Sequence, residues 1–595
     1  MRSTPPSPNE EETRRDRGDS PAILATVILL LVATTIVWTW PIAARFAQEV
    51  PVDADSTETI WKFWWIERAF LVEKTSPYWC DFQLYPQGLS FLYTNPLVLY
   101  GVISLPVLAA TDGVGVLIAL SNFWLLFTYP VGGFAVYLLA RRFTRNRAAA
   151  WIAGFLYAFM PLRGALLSSV NVASTFWLPL LLLAGLPTGK DVSPVRRGLL
   201  AGGAAVGAFL TSLTCLWFIM VSLPLLAAAR WIGRPSGWRW TGEIRFWAAA
   251  ALPPVLCVAA IALLSPAGTM KGAAYYTPPE RVSSRLALEP SFFTTRQSDQ
   301  RIMQVRESAR SHPINLAYPG AFTLLWVAAG SCALRWRRGW IFPALALAGF
   351  LLSLGPFLDL GGFRPGLRVP LPYWLFQKLG PPFDFFRTPY RYLLLMHTGL
   401  AVLAGVGIAG AVRYAGRIRS DMGRRAVLAL LSLGALAAIP DLYQGTVATH
   451  APARDEIFLL LREGSTSEGS VLILPASAYI ERVEHRMAQV LMDRPIPTST
   501  VTRVAFRKSE PFRRCPYLRN LVNREDPGGT IDASGILREL GEAGIRWIVA
   551  TINEEKGNPA LRRFVQESGL LPSHREGRWA VFEIPPPSDF PPETK

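Results

Sequence analysis

"PAILATVILLLVATTIVWTWPIA" (21–43) decides the fold class of this chain, because the run is mostly apolar and contains no charged residue. About 20 apolar residues in a helix are enough to cross the hydrocarbon core of a bilayer. The run is longer than the apolar core of a secretory signal peptide, so we interpret it as a signal anchor that stays in the chain. Residues 1–20 are polar and rich in Pro, and we expect them to form a disordered cytoplasmic tail.

Apolar runs of similar length recur up to residue 440, and 51% of the 595 residues are hydrophobic. This pattern predicts an α-helical polytopic membrane protein with about 11 spans. The apolar run 95–111 would disturb the alternation of the loops if it crossed, so we interpret it as a re-entrant or interfacial segment. The predicted spans are 21–43, 114–141, 148–165, 168–186, 197–212, 213–230, 246–264, 315–335, 341–357, 389–413 and 425–440.

Basic residues concentrate in short connections between the predicted spans, and cytoplasmic loops are the ones enriched in Lys and Arg. This rule places the N-terminus in the cytoplasm of an inner (plasma) membrane protein and, after an odd number of spans, the C-terminus outside. A net charge of +17 would suggest a nucleic-acid partner in a soluble protein, but the loops account for it here, and we expect no such partner. The basic connections are 141–147, 189–197, 230–245, 335–340 and 413–425.

The predicted topology gives a membrane domain over 21–440 with three long outer loops. These loops are 44–113, 265–314 and 358–388. Residues 441–595 differ in composition, because charged helical segments alternate there with short apolar strands, which predicts a soluble extracytoplasmic α/β domain. Two of the five Cys, Cys80 and Cys515, would lie on the outer side, either bridged or as two free thiols.

The first outer loop contains "EVPVDADSTETIWKFWW" (49–65), in which Asp53 and Asp55 are two positions apart. Side chains at positions i and i+2 of an extended segment point the same way, so both carboxylates can face one cavity. The pair can share a divalent cation such as Mg²⁺ or Mn²⁺ through its oxygens. Alternatively, one carboxylate removes a proton while the other stays charged.

Asp55 also has a purely structural interpretation. Together with Glu58, three residues later, it fits a capping box that starts a helix over 56–72. The helix looks interfacial, and we interpret its three Trp residues as membrane anchors in preference to sugar-stacking rings. They are Trp61, Trp64 and Trp65.

Short motifs follow one another in a fixed order from the first outer loop to the C-terminal domain. They are Asp55 with Trp61 and Trp65, "LYPQGLSFLYTNPL" (84–97), Arg163 with "STFW" (174–177), "LSLGP" (352–356), "VPLPYWLF" (369–376), "FRTPYRY" (386–392), "MDRPIPTSTVTR" (492–503) and "LRELGEAGIRWIV" (537–549). With these motifs the chain resembles bacterial members of the GT-C glycosyltransferase superfamily. The resemblance implies a multi-pass enzyme that uses a polyprenyl-phosphate-linked sugar and keeps a catalytic acidic residue in the first outer loop.

The chain departs from this pattern at two places. Members often carry His after the position of Arg163, where this chain has Leu166 and Ser169. They often carry an acidic residue where Arg285 and Ile314 stand. If those groups bind metal or substrate in members, this chain uses another donor or has lost the activity.

The resemblance implies an inverting transfer to a glycan, lipid or protein acceptor on the outer face of the membrane. Asp55 is our candidate for the base, with Asp53 as its partner or as a metal ligand. Arg387 and Arg391 in "FRTPYRY" are candidates for binding the lipid phosphate, because guanidinium groups at a helix N-terminus suit an anion. Anchoring of the helix to lipid headgroups is the alternative role of both arginines.

Two further residues are candidates for substrate binding. Arg163 is a lone Arg near a membrane boundary, where a guanidinium needs an anionic or carbonyl partner. Tyr276 lies in the basic outer loop 265–314, which can close over a bound lipid phosphate. Its ring can stack on a sugar, although an interfacial aromatic residue is the more common role of such a side chain.

Two other functions remain open for a chain with this sequence. One is a catalytically inactive relative that assists envelope assembly, which the departures above would explain. The other is a lipid or polysaccharide transporter, which needs charged or broken helices near the midplane of the bilayer. The predicted spans contain few ionisable residues, and the charged groups cluster at their ends, which favours chemistry at the membrane surface.

Overall fold

The computed structural model describes most of the chain. Three of the candidate residues, Asp53, Tyr276 and Arg387, lie outside the described residues, and so do the predicted tail 1–18 and most of the loop 265–314. The described residues are 19–52, 55–92, 94–187, 192–234, 239–266, 318–334, 339–358, 369–379, 386, 388–443, 446–463, 469–476, 479–500, 509–526 and 528–589.

The described part of the chain before residue 446 is mainly helical, and every predicted span overlaps a described helix. These helices are Pro21–Trp38, Ser56–Glu67, Val98–Ala110, Val114–Thr144, Arg147–Ala158, Pro161–Ala165, Val170–Ala173, Trp177–Gly185, Pro194–Thr211, Leu213–Ile232, Trp240–Leu264, Ala321–Ala333, Ile341–Ser353, Pro372–Leu379, Leu393–Ala415 and Asp421–Leu442. The run 95–111 also forms a helix, Val98–Ala110, and it leaves Val102, Ile103 and Val107 exposed.

Six described helical segments are long and apolar enough to cross a membrane. They are Pro21–Trp38, Val114–Thr144, Leu213–Ile232, Trp240–Leu264, Pro389–Ala415 and Asp421–Pro440. The chain is therefore a helical multi-pass membrane protein, and the total of about 11 spans stays a prediction. The run predicted as one span over 168–186 is broken into two short helices, Val170–Ala173 and Trp177–Gly185.

Glycine residues let the helices of the bundle approach each other closely. Leu393–Ala415 lies at the centre of the bundle, and it packs against Ala321–Ala333 through Gly330 and Gly407. A Cβ atom built on Gly330 would lie 1.9 Å from the carbonyl oxygen of Leu403. Between helices in lipid there is no hydrophobic driving force, so association depends on close packing. Small residues at such crossings allow this packing.

Three of the basic connections meet at one end of the bundle, where they bind the carboxyl end of Trp177–Gly185. Arg142 donates to the carbonyl of Leu183 at 2.5 Å, and Arg230 donates to that of Gly185 at 2.5 Å. Arg197 donates to the same Gly185 carbonyl at 2.9 Å. The last carbonyls of a helix lack partners within the helix and attract cations, so these bonds stabilise its end.

The start of the first long helix lies near the same basic connections. The carboxylate of Asp19 accepts hydrogen bonds from Arg141 at 3.0 Å and from Arg147 at 2.7 Å. Burial would raise the pKa of Asp19, but the bonds from Arg141, Tyr137 and Arg147 outweigh it and hold that pKa far below its usual value. Connections that the sequence assigns to one side of the membrane are thus close together in space.

Residues 446–589, here called the C-terminal unit, contain a four-stranded sheet covered by helices. Ser470–Leu474 pairs in parallel with Ile545–Thr551, which pairs antiparallel with Trp579–Glu583, and His574–Glu576 forms the far edge. The helices are Glu456–Glu463, Tyr479–Met492, Glu510–Arg514, Tyr517–Asn523, Ala533–Glu542, Ile552–Gly557 and Pro559–Ser568. Apolar strand residues form the core of the unit, as binary patterning requires.

A short antiparallel pairing joins the first loop, 44–113, to the C-terminal unit. Val50–Pro51 pairs with Thr449–His450, directly before the aspartates of the loop. The amide of Val52 also donates to the carbonyl of Ala448 at 2.9 Å. The chain therefore brings residues about 400 positions apart to one place, which local sequence patterns do not indicate.

Candidate functional site

Asp55 immediately precedes the helix Ser56–Glu67, here called the loop helix, and its side chain is half-buried. Its carboxylate makes no capping hydrogen bond to the helix, so the capping-box interpretation of this side chain is wrong. Instead, Asp55 Oδ2 accepts a hydrogen bond from Ser169 Oγ at 2.9 Å. Glu58 forms ion pairs with Lys62 and Arg486.

Side chains hold the backbone of the first loop at three residues that precede Asp55, namely Phe46, Glu49 and Pro51. Asn122 Nδ2, from the helix Val114–Thr144, donates to the carbonyls of Phe46 and Glu49 at 2.8 Å each. Ser56 Oγ donates back to the carbonyl of Pro51 at 2.6 Å. A loop held in this way can keep a carboxylate in one position. Catalysis of proton transfer requires such a fixed position of the base.

Arg163 is completely buried, and its guanidinium group is used by neighbouring helices. Its Nη1 donates to Thr175 Oγ1 at 3.0 Å, and its Nη2 donates to the carbonyl of Thr128 at 3.0 Å. The charge also lies over the rings of Tyr129 and Tyr157, at 4.9 and 5.3 Å from their centroids. The "STFW" motif thus supplies a partner for Arg163, which the sequence could not reveal.

Arg391 has a different environment from Arg163. It lies in the short 3₁₀ turn Pro389–Tyr392 at the start of the central helix, and its one described hydrogen bond joins Nη1 to Thr214 Oγ1 at 3.4 Å. Its Nε is buried without a partner among the described residues. In the same short segment, the hydroxyls of Thr388 and Tyr392 are also buried without a described partner. A guanidinium group has five N–H donors, so this one retains the capacity to bind an anion.

A series of contacts connects Asp55 to Arg391. Ser169, which binds Asp55, begins a segment whose carbonyls at 171 and 174 accept from Cys215 Sγ at 3.4 and 3.3 Å. Thr214 precedes that Cys and contacts Arg391. The first loop reaches the same region, because the amide oxygen at position 95 accepts from Ser212 Oγ at 3.0 Å. Asp55 and Arg391 thus belong to one connected region of the molecule.

The three Trp residues of the loop helix are buried inside the protein, so their interpretation as membrane anchors is wrong. Trp61, Trp64 and Trp65 are 3%, 8% and 1% exposed. Trp61 Nε1 donates to Gln489 Oε1 at 2.8 Å, and Trp65 Nε1 donates to the carbonyl of Pro77 at 3.1 Å. Trp61 thus contacts the C-terminal unit, and hydropathy alone could not distinguish burial inside the protein from burial at a membrane surface.

Acidic groups collect where the loop helix ends. Burial, followed by the nearby carboxylates of Asp112 and Asp493, raises the pKa of the half-buried Glu67. Arg68 forms ion pairs with Asp493 and Glu73 beside it. Asp493 belongs to the C-terminal unit, and its carboxylate repels that of Glu67. Protonation of Glu67 removes this repulsion and so favours the contact with the C-terminal unit.

The divalent-cation site suggested by Asp53 and Asp55 stays a prediction, because Asp53 lies outside the described residues. The described residues contain no group of three or more His, Cys, Asp or Glu side chains arranged to hold a metal ion. Asp55 contributes one carboxylate, and its described neighbour Ser169 directs a hydroxyl proton at it instead of a lone pair. Cys80 and Cys515 are buried free thiols.

Comparison with known proteins was made by sequence and by structure. No protein-family model matches the chain, and no curated protein matches it. The structure of the arabinofuranosyltransferase AftD from Mycobacteria matches with a TM-score of 0.57 at 13% identity, covering 96% of this chain and 40% of AftD. The chain therefore spans less than half of AftD, and at this identity the likeness is one of fold.

Two other solved structures give lower scores. The oligosaccharyltransferase of Archaeoglobus fulgidus, tethered with an acceptor peptide, matches with a TM-score of 0.49 at 13% identity, covering 91% of this chain and 71% of that one. ArnT from Cupriavidus metallidurans matches with a TM-score of 0.45 at 13% identity, covering 96% and 100%. The likeness to AftD therefore shows that this chain shares the fold of that solved structure over most of its own length.

Proposed function

We propose that the chain is an inverting glycosyltransferase that takes a sugar from a polyprenyl-phosphate donor on the outer face of the membrane. The observation that carries the proposal is Arg391, a guanidinium group with unused donors at the end of a membrane helix. The lipid chain of such a donor lies in the bilayer, which brings its phosphate to the end of this membrane helix. Within the described residues, Arg391 forms no ion pair with a carboxylate.

Asp55 is the proposed base. The acceptor hydroxyl attacks the anomeric carbon and gives its proton to the Asp55 carboxylate, while the bond from that carbon to the phosphate oxygen breaks. The electron pair of that bond leaves with the polyprenyl phosphate. The hydroxyl of Ser169 holds the carboxylate in one orientation, and a positioned base contributes about 10²- to 10⁴-fold to the rate.

Arg391 is the proposed binding group for the leaving phosphate, with Arg387 beside it in the sequence. Negative charge grows on the phosphate as the glycosidic bond breaks, so donors placed there stabilise the transition state more than the bound substrate. The buried hydroxyls of Thr388 and Tyr392 can donate further hydrogen bonds in the same short segment. Arg163 is assigned a positioning role, since both of its terminal nitrogens donate to Thr128 and Thr175.

The proposed orientation follows from the basic connections. Three of them meet at the end of the bundle that also holds Asp19, and the positive-inside rule assigns that end to the cytoplasm. The first loop and the C-terminal unit then face outward, where the acceptor is a glycan, a lipid or a protein. The sugar is left open, because the described side chains do not select one.

A transfer assay on the full chain in lipid nanodiscs tests the proposal. Labelled polyprenyl-phosphate sugars are supplied with a panel of acceptors, and the release of polyprenyl phosphate is measured. Asp55→Asn should lower the rate by about 10²-fold or more, because the amide cannot accept the proton. Asp421→Asn is the matched control, since that carboxylate is exposed and pairs only with Arg424 among the described residues. Transfer at the wild-type rate by Asp55→Asn would contradict the proposal.

A further inference from the structure

Gln489 is a completely buried side chain of the C-terminal unit that makes three hydrogen bonds. It lies on the helix Tyr479–Met492, and its Oε1 accepts from Trp61 Nε1 at 2.8 Å. Its Nε2 donates to the carbonyl of Phe82 at 2.6 Å and to that of Arg494 at 3.2 Å. One amide therefore ties the loop helix and a later part of the first loop to the C-terminal unit.

The hydrogen bonds of Gln489 lie among buried side chains. Trp61 is 3% exposed, and its ring contacts the rings of Trp64, Trp65 and Phe91 at centroid distances of 5.9, 6.5 and 5.4 Å. A buried donor or acceptor that loses its partner cannot turn to water, so the structure around it must move or carry an unpaired polar group. Loss of this amide thus affects the loop helix itself.

The loop helix connects Asp55 to the hydrogen bonds of Gln489. Trp61 lies six residues after Asp55, which corresponds to about 9 Å along a helix axis. At the other end of this stretch Asp55 is bound by Ser169, which belongs to the membrane part. The carboxylate is therefore held between one anchor in the helical bundle and one in the C-terminal unit.

We propose that Gln489 is a positioning residue through which the C-terminal unit sets the place of the Asp55 carboxylate. This inference rests on the proposed function, since it gives the C-terminal unit a part in the transfer. It predicts a loss in kcat with an unchanged KM for the donor, because the lipid phosphate is bound by Arg391, on a different element. A shift of about 1 Å in a reacting group can cost on the order of 10²-fold in rate.

The test compares Gln489→Met with Gln566→Met in the full chain in nanodiscs. Gln566 is exposed on another helix of the same unit, so its variant makes the same chemical change away from the first loop. Hydrogen exchange is measured over 56–67 and 82–85, and kcat and donor KM are measured separately. Gln489→Met should speed exchange in both segments and lower kcat by about 10- to 100-fold, whereas Gln566→Met should change neither.

Trp61→Phe removes the donor of the same hydrogen bond. It provides a second test if Gln489→Met fails to fold. It removes the indole N–H and keeps a ring in place. If the bond carries the effect, the double variant is no slower than the slower single variant, as for two residues that act through one contact.

Three results would overturn the inference. They are unchanged exchange over 56–67 in the Gln489 variant, an unchanged kcat, and equal changes in kcat and donor KM. A wild-type chain that transfers no sugar from any donor would refute the proposed function alone. In that case, faster hydrogen exchange in Gln489→Met would still show that Gln489 holds the loop helix in place. Unchanged exchange would show that it does not.

Discussion

Ser169→Ala is the sharpest test of the arrangement around Asp55. The substitution removes one hydrogen bond of 2.9 Å to the carboxylate and leaves the backbone of the segment unaltered. A hydrogen bond to a charged group contributes about 1.5–3 kcal/mol, and each 1.36 kcal/mol is tenfold in rate, so kcat should fall by about 10- to 100-fold. Donor KM should stay constant, because Arg391 is not affected.

The assay is the initial rate of sugar transfer at saturating acceptor, with Ser168→Ala as the matched control. Ser168 is adjacent and almost as buried, 6% exposed against 4% for Ser169, and the structure describes no bond from it to Asp55. The control should retain the wild-type kcat. Equal losses in the two variants would show that the segment is merely sensitive to change, and a fully active Ser169→Ala would refute the role of the hydroxyl.

Three further predictions concern other parts of the molecule. Arg391→Gln should lower kcat/KM for the donor by about 10²-fold, with Arg391→Lys retaining part of it, as steady-state kinetics over a donor series would reveal. Gly330→Ala should lower the thermal unfolding temperature, because the added Cβ would meet a carbonyl oxygen at 1.9 Å, whereas Gly203→Ala, where the Cβ meets nothing within 4 Å, should not. Because the pKa of Glu67 is raised in the folded chain, wild-type stability should fall as pH rises from the ordinary Glu value through that pKa. Glu67→Gln should remove this fall, so that its melting temperature exceeds that of the wild type at neutral pH and matches it in acid.

The candidate site could be predicted in part from the sequence. The patterns near Asp55 and Arg391 selected residues that the structure connects through Ser169 and Thr214. The sequence marked Ser169 only as a departure from the pattern of the resembling family, and its bond to Asp55 was not foreseen. Gln489 was missed entirely, because a Gln on an amphipathic helix carries no local sign of its partner.

Arg163 shows why charge near a membrane boundary does not by itself indicate a substrate site. A guanidinium group there must be paired, but the pairing can be internal, as it is with Thr128 and Thr175. Arg391 satisfies the same sequence criterion, but its one described hydrogen bond, from Nη1 to Thr214, leaves Nη2 and Nε without a described partner. Only coordinates distinguish the two cases.

The amino-acid sequence by itself determined the helical membrane class, because a bilayer demands long apolar runs and hydropathy is a local property. It also placed the basic connections on one side, and three of them meet at one end of the bundle. The tertiary structure alone decided that the Trp residues of the loop helix are buried inside the protein and that Trp61 contacts the C-terminal unit. Trp61 and Gln489 are separated by 428 positions, and a contact across that distance depends on the path of the whole chain, which no local pattern encodes.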